Sequence, residues 1–204
     1  MDKTNILYKL LAFPNAVVIT GPRRCGKTLT LSTIEAIFSQ TPEWWRKNCS
    51  DLYIFKQHSD FFDKNPHPIM NFNFFGVNSL KGFHDKIRIG LNYAISSNQI
   101  TYEKIPKNVS EEVINDHLFD VTLALIDKFK NTPIVLIDES DNPLLNVMQD
   151  YNLSKDEKKK KMESLLQSYK TFYGNLKDLL VRNLRGIVIC GHSMISQTAI
   201  YSGN

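Results

Sequence analysis

Cysteine is scarce in this chain: Cys25, Cys49 and Cys190 are the whole complement of 204 residues. Their wide spacing offers neither the CxxC pairs of a zinc site nor the density of a disulfide scaffold, and a reducing, cytoplasmic setting is expected. Long apolar runs are missing too, since no segment approaches the roughly 20 residues that cross a bilayer. The N-terminal stretch Met1 to Phe13 interleaves Asp2, Lys3 and Lys9 with Ile6, Leu7, Leu10 and Leu11. That is the pattern of a short amphipathic helix and not of a signal peptide, so no membrane partner is expected. Nor is there a large excess of one charge. The net charge is +4, and Lys158, Lys159, Lys160 and Lys161 alone match it; such a run reads as a solvated helix face before it reads as a phosphate-backbone contact.

What remains is the composition of an ordinary globular protein, with 42% hydrophobic and 23% charged residues. Neither an internal repeat nor a domain linker interrupts it, and residues 1–204 are expected to form one domain. Four apolar runs rich in β-branched residues stand out: Ala16 to Thr20, Pro68 to Phe74, Pro133 to Asp138 and Gly186 to Cys190. All but the second are near-continuous, as suits strands buried on both faces of a parallel sheet. A weaker fifth strand is expected at Leu52 to Phe55. Helical spacing fills the gaps, with Leu29, Ile34, Ile37 and Phe38 in one stripe, Phe83, Ile87, Leu91 and Ile95 in another, and Val113, Ile114, His117, Leu118, Val121 and Leu125 in a third. A fourth segment opens at Ser154 and Glu157 with the spacing of a capping box and carries Met162, Leu165, Tyr169, Tyr173, Leu176 and Leu180, as one long helix or as two pieces broken at Gly174. Asn98 to Asn108 and Gln149 to Ser154 read as loops. Trp44 and Trp45 read as packing residues and not as a stacking platform.

One of the strand-to-helix junctions carries chemistry. Gly21-Pro22-Arg23-Arg24-Cys25-Gly26-Lys27-Thr28 fits GxxxxGK[ST], the Walker A pattern, at every fixed position. Chance gives such a match in roughly 1% of chains this long, and the flanking strand and helix signals lower that further. Glycines let the backbone turn so that successive N–H groups face phosphate oxygens, and the helix that follows points its positive end at them. The residues expected to contact ATP are Gly21, Pro22, Arg23, Arg24, Cys25, Gly26, Lys27, Thr28 and Leu29. Lys27 would reach the β- and γ-phosphates, and the Thr28 hydroxyl would ligate Mg²⁺.

Pro133-Ile134-Val135-Leu136-Ile137-Asp138-Glu139 is a Walker B strand, with Asp138 as the second Mg²⁺ ligand and Glu139 as the group that orients and deprotonates the attacking water. Asp141 is a weaker stand-in base, better read as a capping or surface carboxylate. The strand ending in Gly191-His192-Ser193 offers Ser193 or His192 as a γ-phosphate sensor, with an ordinary loop role for either left open. Arg23 and Arg24 could steady transition-state charge or serve the loop's structure. The expected fold is α/β: a P-loop NTPase three-layer α/β/α sandwich with a mainly parallel sheet, of the additional-strand, catalytic-glutamate type.

At these residues the chain resembles the predicted AAA-ATPase, or AAA-ATPase-like, family of bacteria and protists, whose P-loop typically reads R-P-R-R-F-G-K-S. The likeness includes Asp2-Lys3-Thr4, His67-Pro68-Ile69-Met70 for the family's Y-P-V-I, Ile137 to Leu144 for its L-I-D-E-Y-D-x-P-L, Phe172-Tyr173 to Leu176-Lys177, and Gly191 to Gly203. Ser140 departs from the usual tyrosine. Gly191-His192-Ser193 stands for G-V-S, which favours Ser193 as the sensor. The resemblance implies ATP and Mg²⁺ as ligands, hydrolysis coupled to a conformational switch, an unidentified protein or nucleic-acid client, and a homo-oligomer by analogy. It also implies a helical lid and a nuclease-like domain beyond the position of Asn204. A nucleotide-binding module with little hydrolysis and a small-molecule kinase are the alternatives.

Overall fold

A computed structural model describes residues 4, 7, 16–22, 24–58 and 66–192 of the chain. Among them the elements run β1 (Ala16–Thr20), α1 (Lys27–Ser39), α2 (Pro42–Asn48), α3 (Tyr53–Gln57), β2 (Ile69–Asn73), α4 (Leu80–Ser97), α5 (Glu111–Phe129), β3 (Ile134–Asp138), α6 (Asn142–Gln149), α7 (Lys155–Arg182) and β4 (Gly186–Gly191). The four strands form one sheet in the order β1-β4-β3-β2, and every neighbouring pair is parallel.

The two-residue repeat of a strand assigns each side chain to a face. Met70, Phe72, Val135, Ile137, Ile187 and Ile189 enter one core, shared with α4, α5 and α7. Ile69, Ile134, Leu136, Val188 and Cys190 enter the other, shared with Leu31, Ile34, Ile37 and Phe38 of α1 and with Trp45 and Ile54. Two cores on one sheet are why β3 and β4 read as unbroken apolar runs, and they make the molecule a three-layer α/β/α sandwich. Trp45 is buried, and Trp44 packs edge-on against it with 5.3 Å between ring centroids.

Local chemistry sets the helix ends. Ser79, Ser110 and Ser154 each accept a backbone N–H from the first turn of α4, α5 and α7, and at Ser154 the Glu157 carboxylate returns the bond to complete a capping box. One expectation needs correction, and one alternative is decided. Leu52 to Phe55 is not a strand: Phe55 and Lys56 donate to the Leu52 carbonyl and His58 to that of Ile54, so the backbone is satisfied locally in a helical turn that buries Ile54. Gly174 does not break α7, which runs unbroken for 28 residues because Leu165, Tyr169, Phe172, Tyr173 and Leu176 hold it to the core on both sides of the glycine. The lysine run lies on the outer face of α7, where Lys159 and Lys160 are exposed.

Register places the chemistry. Thr20 pairs with Gly191, Ile137 with Ile189 and Asn73 with Asp138, so the C-terminal ends of β1, β4 and β3 share one edge of the sheet. Groups carried just beyond them converge there, as ligand-binding groups do in open parallel sheets.

Candidate functional site

The loop leaving β1 turns sharply into α1. Arg24 (φ 65°) and Gly26 (φ 92°) both adopt left-handed backbone, a conformation glycine takes freely and arginine only at a cost of about 1 kcal/mol. Gly26 caps α1 with no side-chain hydrogen bond, which leaves the helix's first N–H groups for an anion. Gly21 admits a close approach of another kind: a Cβ there would lie 2.9 Å from Cys25 Sγ. Arg24, Cys25, Thr28 and Leu29 are exposed, whereas Lys27 is 7% exposed and turned back on its own loop. Its ammonium donates to the carbonyls of Gly21 (2.8 Å) and Pro22 (2.9 Å).

Asp138 ends β3 with 7% exposure. Its Oδ2 accepts from Thr28 Oγ1 at 2.8 Å and its Oδ1 from the Glu139 N–H at 2.9 Å. The chain then turns through Glu139, whose φ of 52° is again left-handed. That turn lets Glu139 line the cavity, while Ser140 N–H donates to the Cys190 carbonyl (2.9 Å) and Tyr169 Oη to the Ser140 carbonyl (2.7 Å). Tyr169 stacks on Phe83 at 4.5 Å between centroids, so an aromatic core braces the turn that carries the glutamate. Burial pushes the Cys190 thiol up to about 12, helped by the nearby Asp138 carboxylate, and keeps it a protonated core residue.

Beyond β4, the His192 N–H donates to Asp141 Oδ2 at 2.9 Å. Gly191 makes this approach feasible, because a Cβ there would sit 2.8 Å from Ser140 Oγ and 3.2 Å from the Asp141 carboxyl. Asp141 itself is fully buried and ties β4 to the turn after β3; it does not line the cavity that Glu139 lines.

That cavity, of about 440 Å³, is lined by the polar side chains of Lys27, Thr28, Glu139 and His192 and by the apolar ones of Leu29 and Phe75. Lys27 and Thr28 after β1, Glu139 after β3 and His192 after β4 therefore come together around one cavity. Ser193, Arg23 and the segment after His192 lie outside the described residues. Sequence reading missed Phe75, 67% exposed after β2, and Asn142, whose Oδ1 accepts from the Gly76 N–H at 3.0 Å. No motif marks either one. Contact of His192 with both Lys27 and Glu139 was equally invisible, since 165 residues separate His192 from Lys27.

The oxygens of Thr28 and Asp138 are hard donors of the kind magnesium prefers, and a magnesium that keeps its waters and phosphate oxygens needs few protein ligands. Among the described residues no cluster of three or more His, Cys, Asp or Glu forms a protein-only metal cage, and no helix is long and apolar enough to cross a membrane.

No curated protein matches the sequence. Among solved structures, a chain of the E. coli MS115-1 HORMA:CdnC:Trip13 complex is similar over 87% of this chain, at 13% identity and a TM-score of 0.25. This chain spans 58% of that one's length, and a superposition that loose supports nothing about partners. The family comparison is of another order, because the model described as predicted AAA-ATPase matches residues 1–201. The protein belongs to the predicted AAA-ATPase family.

Proposed function

We propose that the protein binds ATP with Mg²⁺ at the Walker A loop and hydrolyses it to ADP and phosphate. One observation carries the reading: Thr28 Oγ1 and Asp138 Oδ2 stand 2.8 Å apart, although 110 residues and an intervening strand separate them. A hydroxyl and a carboxylate brought together beside the loop that opens α1 are the pair that would hold the magnesium of a magnesium triphosphate.

When bound, magnesium neutralises charge on the β- and γ-phosphate oxygens. The protein's own groups do the rest. Backbone N–H groups at the start of α1 hold the phosphates, and Lys27 exchanges the Gly21 and Pro22 carbonyls for phosphate oxygens. Glu139 holds a water in line with the γ-phosphorus and takes its proton as the new P–O bond forms and the bond to the β-phosphate bridging oxygen breaks. Exchange of the Lys27 partners is the local event from which a conformational switch would start, with a protein or nucleic-acid client downstream.

The test is phosphate release without an added acceptor. Wild type should turn over ATP in a Mg²⁺-dependent way, and Lys27→Ala should not. Glu139→Gln should bind ATP with unchanged affinity while turnover drops on the order of 10²-fold. Binding without release above the Lys27→Ala background would leave a nucleotide-binding module instead.

A further inference from the structure

The imidazole of His192 touches two groups of the proposed site at once. Its Nδ1 lies 3.3 Å from Lys27 Nζ and its Nε2 lies 3.0 Å from Glu139 Oε2. An ammonium has only hydrogens to give. Those of Lys27 go to the carbonyls of Gly21 and Pro22 and towards His192 Nδ1, with the Cys25 thiol farther off at 3.9 Å. Nδ1 must then present its lone pair, so a neutral ring carries its proton on Nε2, the nitrogen that faces the carboxylate. The tautomer is set at Nδ1, and close contacts run from Lys27 through the ring to Glu139, the second a contact of 3.0 Å between Nε2 and Oε2 and not an aligned hydrogen bond.

This is not a chance meeting of loose side chains. Asp141 pins the His192 backbone, Gly191 seats it against Ser140 and Asp141, and the His192 and Glu139 side chains are 17% and 21% exposed. Oε2 of Glu139 is buried with no hydrogen bond of its own, and the ring nitrogen 3.0 Å away is a polar group that stands within reach of it.

We infer that His192 is a positioning residue for Glu139 that also links the carboxylate to Lys27. This rests on the reading of Glu139 as the hydrolytic base. The ring stands against one carboxylate oxygen and limits where the carboxylate can swing, and arrival of phosphates at Lys27 withdraws the partner of Nδ1 and frees the ring to turn its Nε2–H onto Oε2, so occupancy of the phosphate site is passed to the base.

Two measurements on the full chain test it. Nitrogen-15 NMR of the ATP-free protein, with His192 assigned from a His192→Gln sample, should show a neutral ring protonated on Nε2; a ring protonated on Nδ1, or on both nitrogens at neutral pH, overturns the inference. Single-turnover phosphate release should then be compared in a four-way cycle. His192→Leu is expected to lower kcat about tenfold while KM for ATP moves less than about threefold, and His192→Gln, which still offers an N–H to Glu139, should recover most of the loss. In a Glu139→Gln background His192→Leu should change the rate by less than about twofold. If Glu139→Gln keeps wild-type turnover, the base assignment falls and this inference with it. If Glu139→Gln is slow but His192→Leu slows both backgrounds equally, or slows neither, the inference alone falls.

Discussion

Replacing Thr28 by valine removes one hydroxyl and nearly nothing of the side chain's volume, which isolates the bond from Thr28 Oγ1 to Asp138 Oδ2 at 2.8 Å. A hydrogen bond to a buried carboxylate contributes about 1.5–3 kcal/mol. Asp138 is buried but Thr28 is exposed, so water can take the vacated place at Oδ2 and the loss should lie near 1 kcal/mol. For a domain of this size that lowers the melting temperature by about 2–4 °C. The larger effect comes with nucleotide. At a concentration 100 times its Kd, ATP–Mg stabilises wild type by about 2.7 kcal/mol. Disturbing even an outer partner of a metal costs 10–100-fold in affinity, so losing the hydroxyl as a ligand should cut that gain to between about 0.4 and 1.4 kcal/mol. Thermal melts of wild type, Thr28→Val and Thr28→Ser, each alone, with ATP–Mg and with ATP plus chelator, read both quantities. The serine variant should follow wild type. A valine variant that gains as much from ATP–Mg as wild type would refute the pairing of Thr28 with Asp138 around a metal, whatever the melting point of the nucleotide-free protein.

Two further substitutions test the scaffold around the site. Gly174→Ala should stabilise the protein by roughly 0.5–1 kcal/mol in urea titration, because an added Cβ meets nothing within 4 Å and a helical glycine gives up more chain entropy on folding than alanine. Turnover should not change. Gly191→Ala should destabilise by about 1–2 kcal/mol and slow turnover, since its Cβ would press on Ser140 Oγ at 2.8 Å and on the Asp141 carboxyl that holds the His192 backbone; the combination with Ser140→Ala should recover part of the stability, and strict additivity in that cycle would mean that the contact carries no strain.

The sandwich was legible because burial on both faces leaves its mark in composition. Ile134 to Ile137 and Ile187 to Cys190 have no polar alternation to offer, and the glycine-bearing junction between β1 and α1 directs attention to the C-terminal end of the sheet. The Asp138-Glu139 pair was legible for the same reason, since a run that stops at two acids places them at a strand terminus. What stayed hidden depends on tertiary neighbours. At Leu52 to Phe55, four residues of which three are apolar and the fourth is a tyrosine fit a strand or a helical turn equally well, and local hydrogen bonds decided for the turn. At Gly174, a propensity penalty near 1 kcal/mol was outweighed by apolar burial along α7. Asp141 stands at the N-cap position of α6, where a capping carboxylate belongs, yet its side chain makes no cap hydrogen bond there and is fully buried beneath the end of β4; its sequence neighbours could not show that Gly191, fifty residues on, would clear the space for it. His192 is the sharpest case. In the sequence it is a loop histidine beside a better-matched serine, and only the register that sets β4 between β1 and β3 brings its two nitrogens to a lysine and a glutamate from either side. A site assembled from three strand ends announces its members by motif where each end is self-contained, and conceals them where a residue's chemistry is conferred by the two neighbouring strands.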